Sequence, residues 1–273
     1  MSGISLIGKV AFWSRAERTI SAGRRVRPLH PHGHEPPPRA PRGPWDAALA
    51  CAIVSAMVLY GYWRSTATWR VRIALAHKGI DYELCPIDLR RAGGGDQHRP
   101  EYRAKNPMGQ VPLLELDDEG RHVRLAQSLA ILEYLEERWP TPPLLPQSRS
   151  DRARARQIAE MINSGIQPLQ NTGVTERVRE LGLDEAAWVG HWVPRGLAAL
   201  ETVVADGAGR FCVGDSVTFA DVCLVPQLEF SRRFQIDLTP FPTLVRIANT
   251  CAGLDAFERA HADRQPDKPG AFR

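Results

Sequence analysis

Apolar residues change their spacing along this chain in a way that separates it into distinct stretches. Val58 to Trp63 is a nearly continuous apolar run, which predicts a buried strand. Thr68 to Lys78 carries its apolar positions at helical spacing and stops at Gly79, a residue suited to the left-handed conformation that ends helices. Asp81 to Asp88 predicts a second strand, so that strand, helix and strand make a right-handed crossover with a parallel pair. Ala92 to Asn106 reads as a glycine-rich loop with one helical turn. Gln110 to Leu116 and Arg121 to Leu125 predict two further strands joined by a turn at Asp117 to Gly120. Pro112 begins the first of these, where its missing N–H is tolerated and a cis bond is admissible. Gln127-Ser128 opens a helix that runs through Arg138 and is stopped by Trp139-Pro140.

Beyond the proline-rich stretch Pro140 to Pro146 the strand signals vanish. Ser150 to Glu180, Asp184 to Ala205, Thr218 to Phe234 and Thr243 to Ala260 predict helices, and Thr218 with Asp221 fits a capping box. The layout is therefore an α/β domain at 57–140, a linker at 141–149 and an all-helical domain at 150–273.

Charge changes this picture mainly at the start of the chain. Residues 1–56 hold eight basic residues against three acidic ones, a local net of +5; with +4 for all 273 residues, the other 217 stand near −1. The globular part is thus almost neutral, which excludes a nucleic-acid-binding face as its main feature. Arg24 to Pro44 is rich in Arg, Pro, Gly and His and has no apolar period, so it is expected to be disordered. His30, His32 and His34 alternate in that tail without the spacing of a metal site, and no metal is expected. Ala47 to Ala56 superficially resembles a short signal-peptide core, but Asp46 and the proline-rich lead are poor signal features. The extension reads as a misread start upstream of Met57, with a targeting arm as the alternative, and its removal is expected to leave activity intact. Five cysteines are scattered at 51, 85, 212, 223 and 251 with no zinc-type pairing, which suits reduced thiols in a cytoplasmic protein. No apolar stretch reaches the length of a membrane span.

The chemistry concentrates where the first strand meets the first helix, in Arg64-Ser65-Thr66-Ala67-Thr68-Trp69-Arg70-Val71-Arg72. Hydroxyl side chains and unpaired backbone N–H groups there share the positive end of a helix dipole, a place that holds an anion, including a thiolate. The plainer reading is that Ser65, Thr66 or Thr68 simply caps the helix.

This junction, together with Asn106-Pro107-Met108-Gly109-Gln110-Val111-Pro112, Gln127-Ser128-Leu129-Ala130-Ile131, Gly165-Ile166-Gln167-Pro168-Leu169-Gln170-Asn171, Cys212-Val213-Gly214-Asp215 and the segments Arg233-Phe234, Asp237 to Pro240 and Arg264 to Asp267, resembles the zeta-class glutathione transferases. The resemblance covers Val58 to Pro269. It implies an α/β plus all-α fold class, with an N-terminal thioredoxin-like domain followed by a C-terminal all-helical glutathione-transferase domain, assembled as a homodimer. It also implies glutathione as cofactor. Ser65 would hydrogen-bond the sulfur, with Thr66 beside it, and the helix dipole would favour thiolate over thiol. Val111 would offer backbone groups to the cysteinyl part, and Gln127 and Ser128 would take the γ-glutamyl carboxylate. Gln97, Gln167 and Asn171 match further glutathione contacts. Arg64 and Arg233 match the positions that bind a dicarboxylate substrate. Arg70 and Arg72 share the helix, and a structural role suits them equally.

The implied reaction is glutathione-dependent cis–trans isomerisation of maleylacetoacetate to fumarylacetoacetate, by thiolate addition, bond rotation and elimination. One departure stands out: the family usually carries Ser-Ser-Cys-Ser at the turn, and here Ala67 replaces the cysteine. Related maleylpyruvate isomerases of gentisate degradation lack that cysteine too, which makes them the alternative, beside a transferase acting on α-halo acids. A glutaredoxin-like oxidoreductase would need a cysteine at the helix start, and a non-catalytic glutathione-binding adaptor would lack the sulfur-activating serine.

Overall fold

The apolar run at the start of the globular part becomes strand β1, Met57–Gly61, buried at every position. The computed structural model describes residues 57–270, so the expectations about residues 1–56, Cys51 among them, fall outside the described residues. β1 pairs in parallel with β2 (Glu83–Pro86) and antiparallel with β3 (Leu113–Asp118), which forms a hairpin with β4 (Arg121–Ala126). The sheet order is β2-β1-β3-β4, with Leu59 set between Leu84 and Leu114.

β1 stops at Gly61 rather than Trp63 because helix α1 (Thr66–Lys78) crosses its end. A Cβ on Gly61 would lie 2.4 Å from Thr68 Cγ2, so the strand end has room for glycine alone. The chain turns there with Ser65 N–H donating to the Tyr62 carbonyl at 3.0 Å, and α1 begins two residues earlier than its apolar period predicts. Gly79 closes it in the left-handed conformation (φ 65°). α1 is buried on nearly all sides, packed against α3 (Ser128–Arg138), α8 (Phe219–Arg233) and α10 (Asp255–Ala260). Its arginines are therefore interior. Arg72 donates to the carbonyls of Tyr62, Trp63 and Ala260 at 3.4, 2.8 and 3.1 Å, which settles its role as structural.

After the short helix α2 (Pro100–Arg103) and the β3–β4 hairpin, the described chain is helical. The single helix predicted over Ser150 to Glu180 is instead four pieces: α4 (Arg149–Glu160), a π-helical segment Met161–Ile166, α5 (Gln167–Gln170) and α6 (Thr172–Glu180). Pro168 lacks the N–H that would continue the ladder, and Asn171 adopts an extended backbone. The periodicity survives these interruptions, which is why the sequence hides them. α7 (Glu185–Ala205) precedes α8, and the helix predicted over Thr243 to Ala260 divides at Gly253 into α9 (Pro242–Ala252) and α10.

Two buried polar knots hold the elements in place. Thr218 N–H and Oγ1 donate to Asp221 Oδ2 at 2.8 and 2.9 Å, the predicted capping box, while Cys212 N–H donates to Oδ1 at 2.8 Å. Lys78 Nζ sits 2.7 Å from Glu136 and donates to the Trp139 and Pro142 carbonyls; Glu136 accepts the N–H groups of Leu144 and Leu145. The proline-rich stretch is thereby fastened to α1 and α3. No helix among the described residues is long and apolar enough to cross a membrane.

Candidate active site

A cleft of about 680 Å³ opens beside the start of α1, and all ten site residues expected from the sequence line it: Arg64, Ser65, Thr66, Gln97, Val111, Gln127, Ser128, Gln167, Asn171 and Arg233. They come from the β1–α1 turn, the loop after β2, the approach to β3, the start of α3, the broken helix around Pro168 and the end of α8.

Ser65 is the N-cap of α1. Its Oγ accepts the Thr68 N–H at 3.2 Å, so the hydroxyl proton remains to be donated into the cleft. The capping role and a sulfur-binding role are compatible, because they use different parts of one hydroxyl. The amides of Thr66 and Ala67 precede the first intrahelical bond, Trp69 N–H to Ser65 carbonyl at 2.9 Å, and carry the positive end of the dipole. Thr66 is buried, and its Oγ1 accepts a bond from Gln167 Nε2 at 3.1 Å, joining α1 to the broken helix.

Ser128 stands at the start of α3 in a similar position. Arg70 Nη1 donates to its Oγ at 3.2 Å and to Asn163 Oδ1 at 2.8 Å. The Ser128 proton is thus also free for an acceptor, and a fully buried guanidinium lies directly behind it. Burial lowers the Arg70 pKa, partly opposed by the nearby Cys223 and Glu160 side chains; Arg70 Nε and Nη2 have no hydrogen-bond partner. Buried and without an ion pair among the described residues, the Arg70 charge favours an anion at Ser128. Gln127, just before the helix, holds φ 73° and ψ 115°, a conformation that costs a non-glycine residue about 1–3 kcal/mol and is kept where a site needs it. Its amide reaches Met108 Sδ at 3.5 Å.

Val111 precedes a cis peptide bond to Pro112 and lies outside the β3–β4 ladder, which starts at Leu113. Gln97 is buried, yet its Oε1 has no partner, an orphaned acceptor on the cleft wall. Asn171 caps α6 by its backbone without a side-chain hydrogen bond.

Arg64 lies over the Tyr62 and Trp63 rings at 5.9 and 5.5 Å, and Arg233 over Phe230 at 5.9 Å. Burial lowers the Arg233 pKa, and the neighbouring charge of Arg64 lowers it further. Neither arginine enters an ion pair among the described residues, and the field of Glu229 partly offsets the effect on Arg233, so the cleft presents two cations able to take an incoming anion. Asp267 holds the turn from outside by accepting the Trp63 N–H at 2.8 Å.

Sequence reading missed Asn163 and Arg90, which also line the cleft. Asn163 lies within an apparently continuous helix and carried no signal. Arg90, in the pair Arg90-Arg91 before three glycines, was visible but unremarked.

Two family models match the chain: the glutathione S-transferase N-terminal domain over residues 59–143 and the C-terminal domain over residues 179–256. Maleylacetoacetate isomerase of Rattus norvegicus is 48% identical over 216 residues, covering 79% of this chain and 97% of that protein. The crystal structure of maleylacetoacetate isomerase from Anaeromyxobacter dehalogenans with glutathione bound in the active site is 51% identical, with a TM-score of 0.72, and covers 78% of this chain and 98% of that one. A holo structure of maleylpyruvate isomerase, described as a bacterial zeta-class glutathione S-transferase, is 40% identical with a TM-score of 0.71, covering 77% and 99%.

Proposed function

The chain belongs to the zeta class of the glutathione S-transferase family, and from that premise we propose that it is a glutathione-dependent cis–trans isomerase converting maleylacetoacetate to fumarylacetoacetate. The observation that carries this reading is the arrangement of one cleft: a capping serine with a spare proton at one helix start, a second serine backed by a buried arginine, and two unpaired arginines opposite. The residues fit a tripeptide thiol, since Ser65 and Ser128 each keep a donor, and the buried Gln97 Oε1 lacks one.

Glutathione, held by these residues, would supply a thiolate nucleophile able to add to the conjugated cis double bond and to be eliminated once the bond, made single, had rotated. Ser65 donates its hydroxyl proton to the sulfur, and the α1 amides favour the ionised form. Ser128, with Arg70 behind it, and Gln127 hold the γ-glutamyl carboxylate, while the Val111 backbone pairs with the cysteinyl segment. Gln167 keeps Thr66 oriented beside Ser65. Gln97 and Asn171 bound the tripeptide's site. Arg64 and Arg233 clamp the substrate carboxylates, orient the double bond towards the sulfur, and stabilise the negative charge that addition pushes onto the conjugated carbonyl.

The decisive experiment is conversion of maleylacetoacetate by purified protein with and without glutathione. Conversion only in its presence is expected; equal conversion without it would overturn the mechanism. Ala67, on the cleft wall where the family carries cysteine, favours maleylpyruvate as a second substrate, and comparison of kcat/KM for the two acids decides between them. Family membership supports a cytoplasmic homodimer, and sedimentation at micromolar concentration tests the assembly.

A further inference from the structure

We propose that Arg90 is a third substrate-binding cation, which acts with Arg64 and Arg233 to select a doubly negative electrophile over singly charged or neutral ones. The inference rests on the cleft being the isomerase site described above.

Arg90 and Arg91 are neighbours in the loop after β2, yet their surroundings differ. Arg91 Nε lies 2.9 Å from Asp96, a buried carboxylate that also takes Arg99 at 2.8 Å. That arginine is ion-paired, although its side chain stays partly exposed. Arg90 donates only its backbone N–H, to Asp88 Oδ1 at 2.9 Å; its side chain lines the cleft and enters no ion pair among the described residues. The loop continues through Gly93, Gly94 and Gly95, all at positive φ, a backbone that side-chain-bearing residues rarely adopt.

Arg90 lies within electrostatic reach of both walls. Across the cleft, Arg233 feels the charges of Arg64 and Arg90 together, after burial itself. On the other side the field of Arg90 reaches Glu185, whose carboxylate is already held by Arg179 at 2.7 Å. Glu176 is the other carboxylate on the wall. Three guanidinium groups brought together, none of them in an ion pair among the described residues, repel one another, and a ligand with two carboxylates relieves that repulsion more than a ligand with one. Two of the cations account for one carboxylate and the developing charge at the reacting end; the third is left for the distal carboxylate.

Arg90 is exposed, so Arg90→Ala and Arg90→Lys should fold normally. Malonate, an inert dicarboxylate, and acetate would be titrated calorimetrically into the glutathione-saturated proteins, alongside KM for the cis-dicarboxylate and for glutathione. In Arg90→Ala malonate should bind on the order of tenfold more weakly, acetate should change much less, and Arg90→Lys should recover most of the loss. KM for the dicarboxylate should rise in proportion with kcat held within about twofold, the mark of lost binding that ground and transition states share. Unchanged malonate affinity would overturn the proposal. So would a rise confined to the glutathione KM, which would assign Arg90 to the glycyl carboxylate of the tripeptide. If malonate binding depends on Arg90 but the native protein isomerises nothing, the reaction assigned above fails and the Arg90 site stands.

Discussion

Ser65 shows how one side chain can be both structural and chemical. Its oxygen accepts a backbone N–H and its proton is left over, so removing the hydroxyl takes away a helix cap and, under the proposed function, the donor to the sulfur as well. Ser65→Ala should lower kcat/KM about 10- to 1000-fold, the range for loss of one stabilising donor, while raising the pKa of the bound thiol followed by thiolate absorbance. An unchanged thiol pKa would shift the sulfur-binding role to Thr66. Ser128→Ala separates the two helix ends: it should raise the glutathione KM on the order of tenfold and leave the thiol pKa where it was, because a charge-assisted hydrogen bond to the carboxylate is lost and the sulfur's donor is kept. The meeting of both serines, Gln127, Arg64 and Arg233 in one cleft was legible in the sequence, since each sits at a helix end or in a contiguous motif. The buried Arg70–Ser128–Asn163 connection was not, because it links residues 58 and 93 positions apart and has no local pattern.

At the scale of elements, β3 carries an ionic knot on the face opposite its core residues Leu114 and Leu116. Glu115 is nearly fully buried; burial raises its pKa, but hydrogen bonds from Lys105, Tyr60, Arg124 and His122 outweigh this and hold the carboxyl at about 2. A carboxyl lowered in the folded state stabilises it fully above the unfolded pKa of about 4.5 and loses that contribution as pH falls towards 2. The urea midpoint should therefore drop between pH 5 and pH 3, and the drop should be smaller in Glu115→Gln. The knot joining Lys78 and Glu136 to the proline-rich stretch gives a second test. Glu136→Ala would strand a buried ammonium and two backbone N–H groups, and should cost about 3–5 kcal/mol in chemical denaturation. A loss below about 1 kcal/mol would mean that water replaces the carboxylate. Element type was readable from period and caps, whereas ends and interruptions were not. The π-helical turn and the extended Asn171 between α4 and α6 leave the apolar spacing intact, so the sequence showed one helix where packing made four pieces.

For the whole molecule the distribution of charge matters more than its sum. The residues beyond 56 are close to neutral, yet the cleft gathers Arg64, Arg90 and Arg233, none in an ion pair among the described residues, against the carboxylates of Glu176 and Glu185. KM for a dianionic substrate should therefore rise with salt over ~0.05 to 0.5 M, as screening weakens attraction to the cleft, while turnover of a neutral aryl halide responds much less. Equal salt dependence for both would remove the electrostatic role of the arginines. The sequence by itself determined the order and type of the elements, the serine at each helix start and the family, because these rest on period, caps and contiguous motifs. Only the tertiary structure decided which arginines are buried and which face the cleft. Arg70 and Arg72 on α1 are enclosed by helices from the other end of the chain, while Arg90, beside the ion-paired Arg91, is left facing solvent and substrate. Burial and counter-ion pairing depend on what folds over a side chain, and that is settled by contacts distant in sequence.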